Sequence, residues 1–453
     1  MSRYGNVKVK YEFTLPYGTE SVRFTLPETF TVLGEIVPQG GENGFRTHFV
    51  GTRDSGGRIT NLRASLLEAL KHPRYSPPLS EIMQSEIRNP KVAIIVSDIT
   101  RKSKSEVFIP VLLDELNRMG VRNEDTFIVF ATGTHRTHTK EEHQRLMGEA
   151  YGRVRVYDHD CRGEVVYLGT TSRGTRVSLN RRVVEADRVI LTGLIGYHYY
   201  AGFSGGRKSV LPGVAGFTTI QDNHRLVLNP EGGKNPMTTT GKLKGNPVHE
   251  DMVEIARMLN PDFLLNLILD GHGEVIGIFS GDFIESHEAG CRAVEAIFGC
   301  PIFTKADLAI TSAGGYPKDI SYFQAHKALD NAYWAVREGG VVILLAECRE
   351  GVGHPRFMDW LKLGSLERIE DRLRENFEVV GHNVYANFLK ASKVRIILIS
   401  KGLPPEVPKK MGFIPADNIE AALKTASQIL GPSPTVYIIP EGSTTFPKLS
   451  TAR

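Results

Sequence analysis

The sequence predicts an α/β protein of two α/β domains with mostly parallel sheets and a β-rich lead-in at the N-terminus. Three observations carry that expectation. Short, continuous apolar runs such as Lys91-Val-Ala-Ile-Ile-Val-Ser97 and Val341-Val-Ile-Leu-Leu-Ala346 mark strands buried on both faces, the condition of a parallel sheet covered by helices. Amphipathic helical segments alternate with these runs. The length of 453 residues exceeds one ordinary domain, which takes roughly 100–200 residues, so we expect two.

Taken in order, residues 7–37 read as short strands, Val7–Phe13, Ser21–Leu26 and Phe30–Ile36, with alternation broken by Pro and Gly. From Asn61 the period changes: Leu62–Lys71 is helical, Lys91–Ser97 a buried strand, and Ser105–Met119 a helix stopped by Gly120. Thr126–Ala131 is the next buried strand, and Thr139 with Glu142 three residues on makes a capping box for a helix through Met147. Arg153–Tyr157, Glu164–Leu168 and Arg188–Thr192 read as strands, followed by a glycine-rich segment, the helix His249–Leu259 and the strand Phe263–Leu269. A break near 299–306 separates a second alternation: Asp307–Ser312, the helix Tyr322–Arg337, Val341–Ala346, Val394–Ile399, the helix Ile419–Leu430 and Thr435–Ile439. The expected domains are residues 1–298, which bind the cofactor, and 299–453, with the active site in the cleft between them, where small-molecule sites concentrate.

Composition narrows the function class. Hydrophobic residues at 41% and charged residues at 23% fit a globular protein rather than a disordered or collagen-like chain. The formal charge of +4 is too small to mark a nucleic-acid surface. No apolar run approaches the roughly 20 residues that cross a bilayer, so no membrane partner is expected. Met1-Ser-Arg-Tyr-Gly5 lacks a signal-peptide pattern, which makes the cytoplasm the expected location. Cys161, Cys291, Cys300 and Cys348 show no C-x-x-C spacing and read as reduced, mostly buried thiols.

Ligands of open α/β sheets bind beyond the carboxyl ends of strands, so polar clusters placed there are candidates. Four occur: Asp98-Ile-Thr-Arg101, Thr132-Gly-Thr-His-Arg136, the segment Gly193 to Gly213, and Ala313-Gly-Gly-Tyr-Pro-Lys318. Any one alone reads as a turn or helix cap; four together point to a site. Gly202 through Ser209 invites comparison with a phosphate-binding P-loop, yet Arg207 stands where the closing glycine belongs. A nucleotide- or phosphate-binding protein using residues 202–209 is therefore the alternative function. Among 14 histidines, His135, His198 and His224 lie in Gly- or Asn-rich segments beside cations, where imidazole can transfer protons or ligate a borderline metal. There is no H-E-x-x-H or Cys/His zinc pattern.

The motif series Asp98-Ile-Thr-Arg101, Thr132-Gly-Thr-His-Arg136, His198-Tyr-Tyr-Ala-Gly-Phe-Ser-Gly-Gly-Arg-Lys208, Pro212-Gly-Val-Ala, Asn223-His224 and Gln324-Ala-His-Lys327 resembles that of the nickel-pincer lactate racemase family. The order and spacing agree from about residue 7 to residue 400, including the ten-residue interval from His198 to Lys208 and the sixteen from Lys208 to His224. The resemblance implies a racemase or epimerase inverting C2 of a small 2-hydroxy carboxylate by hydride transfer. It also implies a nickel-pincer nucleotide, made by cofactor-biosynthesis proteins and joined through an amide to Lys208. By the same resemblance His224 is the nickel ligand, and His135 and His198 are acid/base residues. Arg101, beside Asp98, handles anions; Thr132, Gly133 and Thr134 line the cofactor, and Gln324 with Lys327 reach in from the second domain. The family tryptophan near the cofactor has no counterpart at Trp334 or Trp360; the matching stretch is Asn383-Val-Tyr-Ala-Asn-Phe388, which suggests a substrate larger or more polar than lactate.

Overall fold

A computed structural model describes residues 11–38, 53–54, 57–84 and 87–450. The start of the predicted Val7–Phe13 strand, up to residue 10, lies outside them. Packing divides the chain into two compact units: the described residues of Gly40–Ala296 form one, and those of Met1–Gln39 with Ile297–Arg453 form the other. The mixed α/β class with mostly parallel sheets is as expected.

In the Gly40–Ala296 unit a six-stranded sheet runs, in spatial order, Val275–Gly281, Phe263–Leu269, Arg188–Leu194, Val92–Ser97, Thr126–Ala131, Arg155–Asp158. Every pair is parallel except the first, which is antiparallel because only the turn around Asp270–Glu274 joins its strands; a parallel pairing needs a crossover of a dozen residues or more. Val92 through Val96 are all 0% exposed, which explains their unbroken apolar run. Burying each Val or Ile side chain of this run contributes on the order of 1.5–3 kcal/mol. The helix Ser105–Arg118 turns Phe108, Ile109, Leu112, Leu113 and Leu116 into that core at helical spacing and stops before Gly120, whose φ of +88° suits glycine. The Thr139/Glu142 capping box forms as read, opening the helix Lys140–Met147.

Chain order runs outward from Val92–Ser97 through Thr126–Ala131 to Arg155–Asp158, then returns on the other side with Arg188–Leu194. Strand order therefore reverses around Val92–Ser97. Three of the four polar clusters sit at the carboxyl ends of the strands meeting there.

The other unit holds an all-parallel sheet in the order Ile414–Ala416, Arg395–Ile399, Val336–Leu345, Ala306–Ser312, Thr435–Ile439, Thr31–Glu35. Its last strand corrects the expected grouping of residues 1–298. Thr31–Glu35 pairs with Thr435–Ile439, and the hairpin Glu12–Tyr17/Glu20–Thr25 sends Phe13, Leu15, Tyr17 and Phe24 into a core shared with Leu308, Ile310, Ile343 and Ile438. Alternation along a strand shows which face is apolar and is silent on which sheet receives it. The predicted helix Tyr322–Arg337 also ends early, at Ala332, since Val336 opens the strand that pairs with Ala306. Among the described residues no helix is long and apolar enough to cross a membrane, and all four cysteines are free and buried.

Candidate active site at the carboxyl edge of the first sheet

The turn after Val92–Ser97 closes with the Arg101 N–H donating to the Asp98 carbonyl at 3.0 Å. It buries Asp98 and leaves Arg101 exposed. Desolvation alone raises a carboxyl pKa, but hydrogen bonds from His135 and Thr100 and the charge of Arg101 outweigh it and hold Asp98 below its ordinary value. The Thr100 hydroxyl lies 2.6 Å from Oδ1 and His135 Nδ1 lies 2.5 Å from Oδ2.

The turn after Thr126–Ala131 is built differently. Thr132 is buried and its hydroxyl donates to the His159 carbonyl, so this side chain braces the turn. Gly133 takes φ +55°, donates its N–H to the Gly213 carbonyl at 3.0 Å, and has no room for a Cβ without pressing on the Pro212 carbonyl. Thr134 and His135 project to solvent.

Beyond Arg188–Leu194 the glycine-rich segment forms a two-residue-per-strand hairpin, Tyr197–His198 with Gly202–Phe203, and then a 3₁₀ turn over Gly206–Ser209. This is no P-loop. The Gly206 N–H donates to Asn266 Oδ1 at 2.8 Å, the Lys208 N–H to the Gly205 carbonyl at 3.1 Å, and the Ser209 hydroxyl to the Thr192 carbonyl at 2.7 Å. Groups that would cradle a phosphate are spent inside the protein. Arg207, the residue that breaks the P-loop pattern, is 1% exposed. Its fork donates to the carbonyls of Ala201, Phe203 and Gly205 at 2.8–3.1 Å, with His287 Nε2 at 3.1 Å. The arginine thus shapes the loop that presents His198 and Lys208, a role that spacing could not reveal.

His198 is half-buried, stacks on Tyr199 with centroids 5.2 Å apart, meets Tyr200 edge-on at 4.5 Å, and accepts the Ala201 N–H on Nδ1 at 3.3 Å. Tyr200 in turn contacts His224 at 5.5 Å and lies 5.6 Å from Lys208 Nζ. His224 sits within the helix Phe217–Arg225 and is 1% exposed.

Electrostatics unify the cluster. Desolvation comes first in depressing both His198 and Lys208 well below their ordinary values; for His198 the charges of Lys208 and Arg101 follow, for Lys208 those of Arg207 and Arg101. Desolvation, aided by Lys208, brings His224 down to about 3. Burial thus holds His198, Lys208 and His224 toward their neutral forms beside the guanidinium charges of Arg101 and Arg207.

Gln324 and Lys327 belong to the other unit, on the helix Tyr322–Ala332. They are exposed one turn apart, and Lys327 Nζ donates to Gln324 Oε1 at 2.9 Å. Asn383–Phe388 lies within the helix Val379–Ala391 of that unit, and the expected enlargement of a substrate pocket there finds no support. Asn383 and Asn387 are each 1% exposed and engaged internally: Tyr322 OH donates to Asn387 Oδ1 at 2.9 Å, and Asn387 Nδ2 to Asn383 Oδ1 at 3.2 Å. Trp360 is likewise core, with Nε1 donating to Glu378 at 3.0 Å.

Residues 52–235 match the lactate racemase N-terminal domain and residues 303–446 the lactate racemase C-terminal domain. The lactate racemase of Thermoanaerobacterium thermosaccharolyticum is 31% identical over 94% of this chain and 97% of its own length. The chain belongs to the lactate racemase family. That membership places it among enzymes, in the racemase class. The family's Lactiplantibacillus plantarum lactate racemase is 32% identical over 83% of this chain and 88% of its own. The fold agrees with the solved lactate racemase apoprotein of T. thermosaccharolyticum at a TM-score of 0.84, with 28% identity, over 97% of this chain and all of that one. A Thermotoga maritima protein of 17% identity shares the fold at a TM-score of 0.62, over 87% of this chain and 99% of its own.

Proposed function

We propose that this member of the family inverts C2 of a 2-hydroxy carboxylate, removing the Cα hydrogen as hydride and the hydroxyl hydrogen as a proton, then returning both with the opposite hand. The single observation that carries the reading is the carboxylate-oriented imidazole of His135 at the same sheet edge as the desolvated basic groups His198 and Lys208.

Loss of hydride and proton leaves a planar 2-keto acid, so each enantiomer needs its own proton acceptor. His135 suits one. With Asp98 ionised, its Nδ1 carries the proton of their hydrogen bond and Nε2 is the basic nitrogen, as when a carboxylate orients a catalytic imidazole. His198 is assigned to the other enantiomer. Arg101 pairs its planar fork with the substrate carboxylate.

The residues fit a nickel-pincer nucleotide. A desolvated, neutral Lys208 amine is the form that makes an amide, a buried neutral His224 is the form that ligates metal, and the guanidinium of Arg101 suits a phosphate or a carboxylate. We assign Lys208 to the covalent link, His224 to the nickel, and Arg101 and Thr134 to the anionic portions. When bound, that group supplies the hydride acceptor. Loading then depends on cofactor-biosynthesis proteins. The phosphate-loop alternative is the weaker reading, because the amides of Gly206 and Lys208 are already paired.

The test is to incubate protein produced with the cofactor-making enzymes with single-enantiomer 2-hydroxy acids and follow optical purity. Racemisation of one or more is expected. Retention of configuration across the panel by nickel-loaded protein would refute the assignment.

A further inference from the structure

Beside the proposed catalytic residues lies a network that the chemistry above does not use. His138, three residues after His135, points back into the protein with its side chain 1% exposed. Its Nδ1 lies 2.6 Å from Asp158 Oδ1, its own N–H donates to Asp158 Oδ2 at 2.8 Å, and His143 Nε2 reaches Oδ1 at 3.0 Å. Its other ring nitrogen, Nε2, accepts the backbone N–H of Ile99 at 2.9 Å. Ile99 is the residue between Asp98 and Thr100. The turn bearing Asp98 and Arg101 is therefore gripped twice by the neighbouring loop, through His135 on the Asp98 carboxylate and through His138 on the Ile99 amide.

These contacts specify one tautomer. A backbone N–H can only donate, so Nε2 is bare, and the ring proton is on Nδ1, facing the Asp158 carboxylate. Three ligand atoms of His138, His143 and Asp158 also lie within 4.8 Å of one another, a spacing compatible with a metal ion. A cation on His138 Nδ1, however, leaves the proton of a neutral ring on Nε2, directed at the Ile99 N–H. The hydrogen bond to Ile99 and a metal on this cluster exclude each other.

We propose that His138 is a positioning residue: relayed from Asp158 and clamped on the Ile99 N–H, it sets the turn that carries Asp98 and Arg101, and through it the hydrogen bond that orients His135. The inference rests on the racemase reading only for its consequence in turnover; the positioning itself is a property of the protein without cofactor. Outer partners of this kind typically change activity by about 10–100-fold when removed.

The experiment uses two variants. His138→Phe keeps an aromatic ring against Phe130, whose centroid is 5.0 Å from that of His138, and removes both side-chain hydrogen bonds. His138→Gln offers an amide oxygen where Nε2 now accepts. In cofactor-free protein labelled with ¹⁵N-histidine, the His135 Nδ1 resonance, assigned with His135→Gln, should move in the Phe variant and return toward the wild-type position in the Gln variant. In loaded enzyme, kcat should fall about 10–100-fold in His138→Phe and recover at least in part in His138→Gln. An unmoved His135 resonance in His138→Phe overturns the proposal whatever happens to turnover. So does one equivalent of zinc bound by the wild type and lost in His138→Phe but not in His224→Ala. Failure of the racemase reading alone would show as inactive wild type with the resonance still responding.

Discussion

His135 Nδ1 lies 2.5 Å from Asp98 Oδ2, tying together the turns that follow two adjacent parallel strands. The carboxylate is buried while the imidazole side chain is 51% exposed, so the ring is aimed by the protein and open to a ligand. Asp98→Asn should leave the fold intact and lower racemisation by about 10²–10⁴-fold, since the amide cannot enforce the same tautomer. Chiral chromatography of the product, beside an unfolding curve for each variant, checks this.

Lys208 should react as a neutral amine. With desolvation, Arg207 and Arg101 all depressing its pKa, cofactor-free protein at neutral pH should acylate Lys208 faster than its surface lysines, as read by peptide mass spectrometry. Loaded wild type should carry a mass adduct that is absent in Lys208→Ala. An active wild type of unmodified mass contradicts the covalent link.

The histidines should separate by role. His224→Ala should weaken nickel retention in loaded protein, whereas His135→Ala and His198→Ala should retain metal and lose full turnover. Metal analysis after gel filtration, paired with racemisation assays, distinguishes them. Wild-type turnover in either of the last two refutes the acid/base assignment.

Acid should destabilise the cofactor-free protein before its carboxylates titrate. His224 and His249 are both brought down to about 3, mainly by desolvation, against an ordinary value of 6.5. Between these limits the unfolded chain binds protons that the folded one refuses, so stability falls as pH drops below about 6.5, by on the order of 1.4 kcal/mol per pH unit for each histidine. Denaturant midpoints from pH 7.5 to 5 should follow this slope, and His249→Leu should reduce it by one proton. A flat profile contradicts the burial of neutral imidazoles.

Arg207→Met should damage stability as well as function. Each backbone carbonyl of the loop left buried without its donor costs about 1–3 kcal/mol, and the fork serves three. Thermal unfolding should therefore shift markedly, with Arg207→Lys recovering little because an ammonium lacks the planar fork.

The sequence by itself determined the α/β class, the buried strands and the candidate residues of the first sheet edge. Unbroken apolar runs such as Val92–Val96 are required where both faces are covered, and polar clusters after them can only fall at strand ends. Phe263–Leu269, Ile419–Leu430 and Thr435–Ile439 form with the boundaries read from pattern alone. Long-range partnership was decided only in three dimensions. The N-terminal strands join the second sheet because their apolar face completes that core, and a period of two cannot name its partner. The same limit hid the difference between Arg207 and Arg101. One arginine is consumed by carbonyls of its own loop and the other left exposed, because hydrogen-bond partners are chosen by the folded backbone, which residue type and spacing do not encode.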